Sequence, residues 1–237
     1  VRTKATTRYE FEFGYLNGAK EAIARGFAPF VAFPNFDSIY RSDELFPLFT
    51  NRLMPRSRPD FAAYVQRLDL DPFSADDMTI LARSGGRRVT DSIELFPLPD
   101  LTRDGCYTTY FLAHGIRHLN KSSADKAINL ALEEQLYLQY DFQNEADPYA
   151  LSMRTADRVI VGYLPRYLLP DVHRLIQECP NQPEIRVAQI NVPPAPIQQR
   201  LLCRMESCWP EKFTPFDTGD YQPYSSEACR SDQRSGI

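Results

Sequence analysis

Apolar residues recur at every second position through Leu136, Leu138, Tyr140 and Phe142, with polar residues between them. A period of two predicts a strand with one buried face. Asn144 to Pro148 follow, a cluster of turn formers whose short polar side chains bond local backbone. Residues 150–155 read as a second strand and Ala156-Asp157-Arg158 as a tight turn. Val159, Ile160 and Val161 are β-branched, as strands prefer, and Gly162 ends that strand. Pro165 suits the first turn of a helix. Leu168, Leu169, Val172, Leu175 and Ile176 then recur at helical spacing. Residues 136–171 therefore predict strand, loop, strand, turn, strand, helix.

The flanks extend this pattern. Tyr107, Tyr110, Phe111 and Leu112 predict a strand over 106–114, leading into Gly115-Ile116-Arg117-His118. Residues 184–192 alternate Ile185, Val187, Gln189 and Asn191 against Arg186, Ala188 and Ile190, which predicts another strand. The run Pro193, Pro194, Ala195, Pro196 is extended loop, and residues 198–209 read as a further strand. Trp209, Phe213 and Phe216 form an aromatic cluster, best assigned to core or interdomain packing. The tail from Thr218 is expected to be weakly structured.

The first half is organised differently. Tyr9, Phe11, Phe13 and Tyr15 share one face of a strand over 8–16, and Asn17-Gly18 is a turn signal. Glu21 to Arg25 is a short segment that ends at Gly26. Phe27, Phe30, Val31 and Phe33 look strand-like around Pro29. Ser42 is placed to cap a helix opening at Asp43 and running to Leu53. A second amphipathic helix carries Phe61, Tyr64, Val65 and Leu68. A third spans 75–83 with Gly85-Gly86 as its stop. Residues 92–96 read as a strand, and Pro97 and Pro99 mark a linker.

Composition narrows the class. The chain has 237 residues, 43% of them hydrophobic, and a net charge of −4. That length predicts one large or two small domains. No run of about 20 apolar residues is present, so no membrane span and no membrane partner are expected. The start carries no apolar signal core. The acidic balance is unlike that of a strong duplex-DNA binder, so a nucleic-acid site would be a local patch. The five cysteines, Cys106, Cys179, Cys203, Cys208 and Cys229, have no regular spacing. They read as reduced thiols of a cytoplasmic protein rather than metal ligands. His114-x3-His118 has metal-like spacing only on a helix, and the aromatic run before it predicts a strand. No metal or other cofactor is expected.

The order strand, Asn144-x-x-Asp147, Ala150-Leu151, strand, Val161-Gly162-Tyr163-Leu164-Pro165-Arg166, helix resembles the core of the HIRAN domain. Gly115-Ile116-Arg117-His118 stands where that family has Gly-x-Arg-aromatic. The resemblance covers roughly residues 103–217. It implies an OB-like barrel that binds single-stranded DNA, in some members a 3′ end. The residues it places in the nucleic-acid site are Arg117, His118, Asn144, Asp147, Tyr149, Tyr163 and Arg166. Arg117 would clamp phosphate bidentately, or pair with a carboxylate such as Asp147. His118 would stack on a base. Asp147 would accept a hydrogen bond from a terminal hydroxyl, or simply hold an Asx turn. Arg166 would hold phosphate at a helix start, or remain solvated. The family's aromatic residue before the Asp is Ala146 here, a departure that Tyr149 could offset.

Residues 45–61 and 80–97 resemble the N-terminal subdomain of HipA-type kinases, through Leu48-Phe49, Arg52-Leu53, Met54-Pro55, Ile80-Leu81 and Gly85 or Gly86. Where that family has Gly-Ala, this chain has Asp91-Ser92. No phosphate-cradling loop or other kinase catalytic segment is present, and no hydrolase set is found. The expectation is an α+β chain. A small β/α subdomain with an antiparallel sheet and helices would span 1–99, and an OB-like β-barrel of HIRAN type with one or two helices would span 100–217. A tail would occupy 218–237. The expected function is non-catalytic recognition of single-stranded DNA or DNA ends, with protein contact through the first half. The alternative is an antitoxin-like regulator that binds a bacterial HipA-type kinase or another effector.

Overall fold

The structure, a computed structural model, describes residues 11–224 apart from 89, 103, 104, 180 and 182, and residues 100 and 101 by backbone only. Tyr9, Cys229 and the end of the tail lie outside the described residues. The chain divides into two compact units, residues 1–51 with 216–237, and residues 52–215. The boundary expected between residues 99 and 100 falls inside the second unit.

The first unit is built on aromatic packing. Strand β1 (Phe11–Phe13) pairs antiparallel with β2 (Tyr40–Ser42), and helix α1 (Gly18–Ala24) lies between them in sequence. Phe13 stacks on Phe33 with ring centroids 3.8 Å apart. The Tyr15 hydroxyl donates to the Phe33 carbonyl at 2.8 Å and accepts from the Phe30 N–H at 2.9 Å. The strand expected around Phe27–Phe33 is absent. Pro29 and Pro34 remove donors that a ladder would need; the Phe30 ring packs on Tyr15, Phe27 on Phe30, and Phe33 on Phe13. The helix expected from Asp43 to Leu53 shrinks to α2 (Pro47–Thr50). Proline has no N–H and starts a helix more readily than it continues one, so Pro47 becomes the first residue and Ser42 closes a strand. Part of the tail is ordered: Gly219–Tyr221 form a 3-10 turn, Pro223 bridges to Leu16, and the Tyr224 N–H donates to the Tyr15 carbonyl at 3.0 Å.

The second unit opens with helices α3 (Phe61–Gln66) and α4 (Asp77–Ser84). Phe61, Val65, Leu68 and Ile80 form their shared core, as the helical spacing predicts. Asp76 caps α4 by accepting from the Thr79 N–H at 2.9 Å. The strand expected over 92–96 does not form, because its backbone meets no neighbouring strand. Leu95 instead donates to the Gly85 carbonyl at 2.8 Å. Asp91 forms a two-pronged pair with the buried guanidinium of Arg52, at 2.7 and 3.1 Å. An acidic residue at this place is therefore required by Arg52.

A seven-stranded antiparallel sheet follows. Its strands are β3 (Asp100–Leu101), β4 (Cys106–Leu112), β5 (Gln135–Tyr140), β6 (Leu151–Arg154), β7 (Ile160–Tyr163), β8 (Glu184–Ile190) and β9 (Leu201–Cys208), in the order β3-β4-β9-β8-β5-β6-β7. Two helices accompany it, α5 (Lys121–Ala127) and α6 (Leu169–Glu178). The ladder shifts register at Val187/Gln189 and again at Met153/Arg154. Such bulges bend a strand and sharpen its twist. The curl brings the last strand back toward β4: His114, just past β4, bridges Tyr163 at the end of β7. His114 N–H donates to the Tyr163 carbonyl at 2.9 Å, and Tyr163 N–H to the His114 carbonyl at 3.0 Å. Leu136, Leu151, Met153, Val161, Ile185 and Met205 are among the residues buried in this curled sheet. The architecture is mixed α+β and consistent with an OB-like barrel.

Two further expectations change. Cys179 and Cys208 form a disulfide, so the cysteines are not all reduced thiols. The two lie 29 positions apart in sequence and meet only because the end of α6 is carried to the end of β9. The Trp209 and Phe213 rings pack on each other and on Tyr107, whereas Phe216 belongs to the first unit and packs on Tyr221.

The bridge needs a glycine beside it. Gly115 has φ +71°, and a Cβ there would lie 2.6 Å from Cδ2 of Tyr163. Gly105 has a similar φ of +74° but no neighbour within 4 Å. Both glycine-to-alanine changes should therefore cost about 1–2 kcal/mol for the left-handed backbone. Gly115→Ala should cost measurably more, because the Tyr163 ring must move. Urea unfolding of both variants checks this, and equal costs would show that the ring has room to yield.

Candidate nucleic-acid interface

The His114–Tyr163 bridge of the curled sheet places Arg117 and His118. Gly115 turns the chain out of the bridge, and Ile116–His118 form a 3-10 turn rather than a strand edge. Ile116 is buried and anchors this turn, while Arg117 and His118 face solvent. Arg117 Nε donates to His118 Nε2 at 2.9 Å. Among the described residues no carboxylate pairs with Arg117, so the alternative partner Asp147 is ruled out. Arg117 and His118 line a cleft of about 200 Å³ together with Arg87, His114 and Gln198. A neighbouring cleft of about 460 Å³ shares Arg87 and Gln198 and adds Arg88.

One wall of the first cleft carries a compact charge network. Glu94 Oε1 lies 2.7 Å from Arg87 Nη2 and 3.0 Å from His114 Nε2. Burial by itself would raise the Glu94 carboxyl, but the hydrogen bonds from His114 and Arg87 outweigh it and hold the group below the ordinary carboxylate range. Arg87 is thereby neutralised, and Arg117 remains the guanidinium in this cleft without an acidic partner. The two histidines do not form a metal pair. His114 is engaged with Glu94 and His118 with Arg117, and no cluster that could hold a metal occurs among the described residues.

Tyr163 joins the cleft to the Asn144 loop. Its backbone makes the bridge and its ring covers Gly115. Its hydroxyl donates to Asp141 Oδ2 at 3.0 Å. Burial, and then the Asp141 carboxylate, raise the Tyr163 phenol, which keeps it protonated and donating. Asp141 also faces Asn144 Nδ2 at 3.4 Å. Asn144 Oδ1 in turn accepts from the N–H groups of Ala146 and Asp147, both at 3.0 Å. Asp147 Oδ1 accepts from the Tyr149 N–H at 3.0 Å, and Oδ2 from Arg166 Nε at 2.8 Å. Arg166 also donates to the Ala146 carbonyl at 2.8 Å.

The seven residues therefore fall into two sets with Tyr163 between them. Asn144 and Asp147 are spent on the loop itself, as an Asx-turn reading anticipates. Arg166 is not in the first turn of α6. A 3-10 turn, Arg166–Leu168, comes first, and the guanidinium reaches back to Asp147. Tyr149 is 68% exposed and lines a cleft of about 550 Å³ with Arg166, Asp147 and His173. The strand pattern also missed something. The face carrying Leu136, Tyr140 and Phe142 was expected to be buried, yet it runs out of the core, from 2% exposed at Leu136 to 41% at Tyr140 and 80% at Phe142. An apolar stripe longer than the strand that pairs it was the available signal.

No protein-family model matches the chain, and no curated protein matches it. Among solved structures, a protein from Lactobacillus plantarum is 19% identical with a TM-score of 0.34, over 44% of this chain and 97% of that one. The HIRAN domain of human HLTF is 15% identical with a TM-score of 0.30, over 44% of this chain and 78% of that one. The HipA-type resemblance of the first half receives no support from these comparisons. No helix among the described residues is long and apolar enough to cross a membrane.

The loop geometry separates two roles by stability. Arg166 is exposed over 74% of its side chain, and exposed ion pairs contribute about 0–1 kcal/mol. Arg166→Ala should leave the unfolding midpoint nearly unchanged. Asn144→Ala removes the acceptor for two backbone N–H groups and should cost about 1–2 kcal/mol, with faster amide exchange at Ala146 and Asp147. Thermal unfolding with hydrogen exchange checks both.

Proposed function

We propose that this chain is a non-catalytic module that binds single-stranded DNA, with a phosphate seated against Arg117 and the strand end lying toward Tyr163. The observation that carries this reading is the state of Arg117. Its guanidinium faces a cleft and makes one hydrogen bond among the described residues, through Nε, to His118. The terminal nitrogens keep the fork geometry that matches two phosphate oxygens. A cation held this way is ready to bind an anion without first breaking an ion pair. Arg166 differs, because its Nε is already bound to Asp147, and phosphate would have to compete for it.

The reading also accounts for the acidic net charge. One seat needs no basic surface. His118 holds the Arg117 side chain in place and offers a ring edge beside it. Asp147 and Asn144 serve by shaping the loop, and Tyr163 ties that loop to the cleft. The free 3′ hydroxyl is the strand feature best suited to a site with so few charges, because its recognition depends on hydrogen bonds at short range.

Binding of a labelled single strand, followed by fluorescence anisotropy across a salt series, tests this. Each neutralised phosphate contributes about −0.7 to the slope of log affinity against log salt. The wild-type slope should be shallow, roughly −0.7 to −1.4 for one or two phosphates. Arg117→Ala should weaken binding and flatten the slope by about 0.7. Blocking the 3′ hydroxyl should weaken binding further. A wild-type slope as steep as that of a groove-tracking protein, or an Arg117→Ala variant that binds like the wild type, would sink the reading.

A further inference from the structure

Beside the Asn144 loop stands a row of rings that none of the residues above explains. Tyr140 and Phe142 leave the end of β5 on one face, and their rings stack with centroids 5.5 Å apart and planes 3° apart. Tyr140 also stacks on His173 of α6, at 5.4 Å and 21°. The imidazole is fixed through both nitrogens. Nε2 lies 3.1 Å from the Tyr149 carbonyl, and Nδ1 lies 3.4 Å from the Tyr140 hydroxyl. Tyr149 meets the same imidazole edge-on, at 6.3 Å and 75°. Three near-parallel rings are thus held in order from His173 outward. The last ring, Phe142, packs against Tyr140 and remains 80% exposed.

We propose that Phe142, Tyr140 and His173 form a stacking ladder, and that a base of the bound single strand lies on the open face of Phe142. This deepens the DNA reading and rests on it. A flat heteroaromatic ring extends such a ladder in the same offset-parallel manner as the rings already in it. Aliphatic side chains have no comparable geometric match to a single flat face. The ladder is also continuous with the phosphate seat. Asp141, between Tyr140 and Phe142, accepts the hydroxyl of Tyr163, and Tyr163 makes the bridge beside which Arg117 emerges. One tyrosine side chain therefore links the two. Because the inner rings are immobilised before any ligand arrives, little further ordering opposes binding. The family's missing aromatic at Ala146 would then be replaced by rings brought from β5 and α6.

The test uses the full chain, a short labelled oligothymidylate and three variants. Stacking on one aromatic ring corresponds to roughly a 5- to 100-fold change in affinity. Phe142→Ala should lose that factor with no change in salt slope, since no charge is removed. Phe142→Trp should bind as well as the wild type. Its added tryptophan emission should be quenched by the strand, above the Trp209 background of the wild type. Arg117→Ala should change the salt slope but still show quenching when combined with Phe142→Trp. If the wild type binds through Arg117 but Phe142→Ala binds equally well and Trp at this position is not quenched, the ladder is overturned and the phosphate seat stands. If quenching persists and Arg117→Ala leaves the slope unchanged, the ladder stands and the seat is wrong. Absence of any strand binding at low salt would overturn both.

Discussion

Two backbone hydrogen bonds between His114 and Tyr163 close the curled sheet of the second unit on itself. They join the end strand β7 to the chain just past β4, across a curled sheet whose ladders run between neighbours in the strand order. A sheet edge with unpaired N–H and C=O groups would otherwise remain at this place. The bridge requires close approach, and close approach requires Gly115 at positive φ and Gly162 opposite Ala113, where a Cβ would come within 3.0 Å. Both motifs that stand out in the sequence, Gly115-x-Arg117-His118 and Gly162-Tyr163-x-x-Arg166, are thus the two sides of one closure. Their glycines make the contact, and their polar residues are what the contact brings to the surface.

The closure also explains why the two arginines behave differently. Arg166 opens a 3-10 turn and its guanidinium reaches back to the loop, where Asp147 is already oriented by its own bond to the Tyr149 N–H. Arg117 follows Gly115 on the opposite side, where the nearby carboxylate, Glu94, is occupied by Arg87 and His114. In the cleft that both line, Arg87 is paired with Glu94, whereas Arg117 has no acidic partner among the described residues. Such selectivity by exclusion is set by geometry and does not require a basic composition.

Much of this was legible in the chain. The alternation through β5, the β-branched run of β7 and the helical spacing of α6 each reflect a local period, and each formed within a few residues of its expected bounds. What was not legible depended on partners distant in sequence. Residues 92–96 had strand-like composition but no neighbouring strand. Pro47 read as tolerable inside a helix, yet it set the helix start. The Cys179–Cys208 disulfide joins elements whose proximity follows only from the order of β8 and β9. The site divided in the same way. Asn144 and Asp147 were recognisable as turn residues because their bonds are local. Arg117 could not be assigned from sequence, since whether a carboxylate such as Asp147 reaches it depends on an element distant in the chain. The ladder was hidden because an apolar stripe predicts burial, and only the shortness of β6 shows that the stripe continues past the core.

An acidic chain that binds a polyanion must do so at short range. At about 0.1 M salt, charges separated by more than about 10 Å are largely screened from each other, so the net charge of −4 neither attracts nor strongly repels a strand already at the surface. Local contacts then decide affinity. One open guanidinium gives position but little counterion release, whereas stacking is insensitive to salt and indifferent to base identity. A site made of one phosphate seat and one ring face would grip a few nucleotides at most. It would favour an exposed end, where a base is free to leave its neighbours, over the interior of a duplex, where the same contact requires unstacking. One guanidinium and one ring face would give that selectivity through the small number of contacts they offer rather than through their strength.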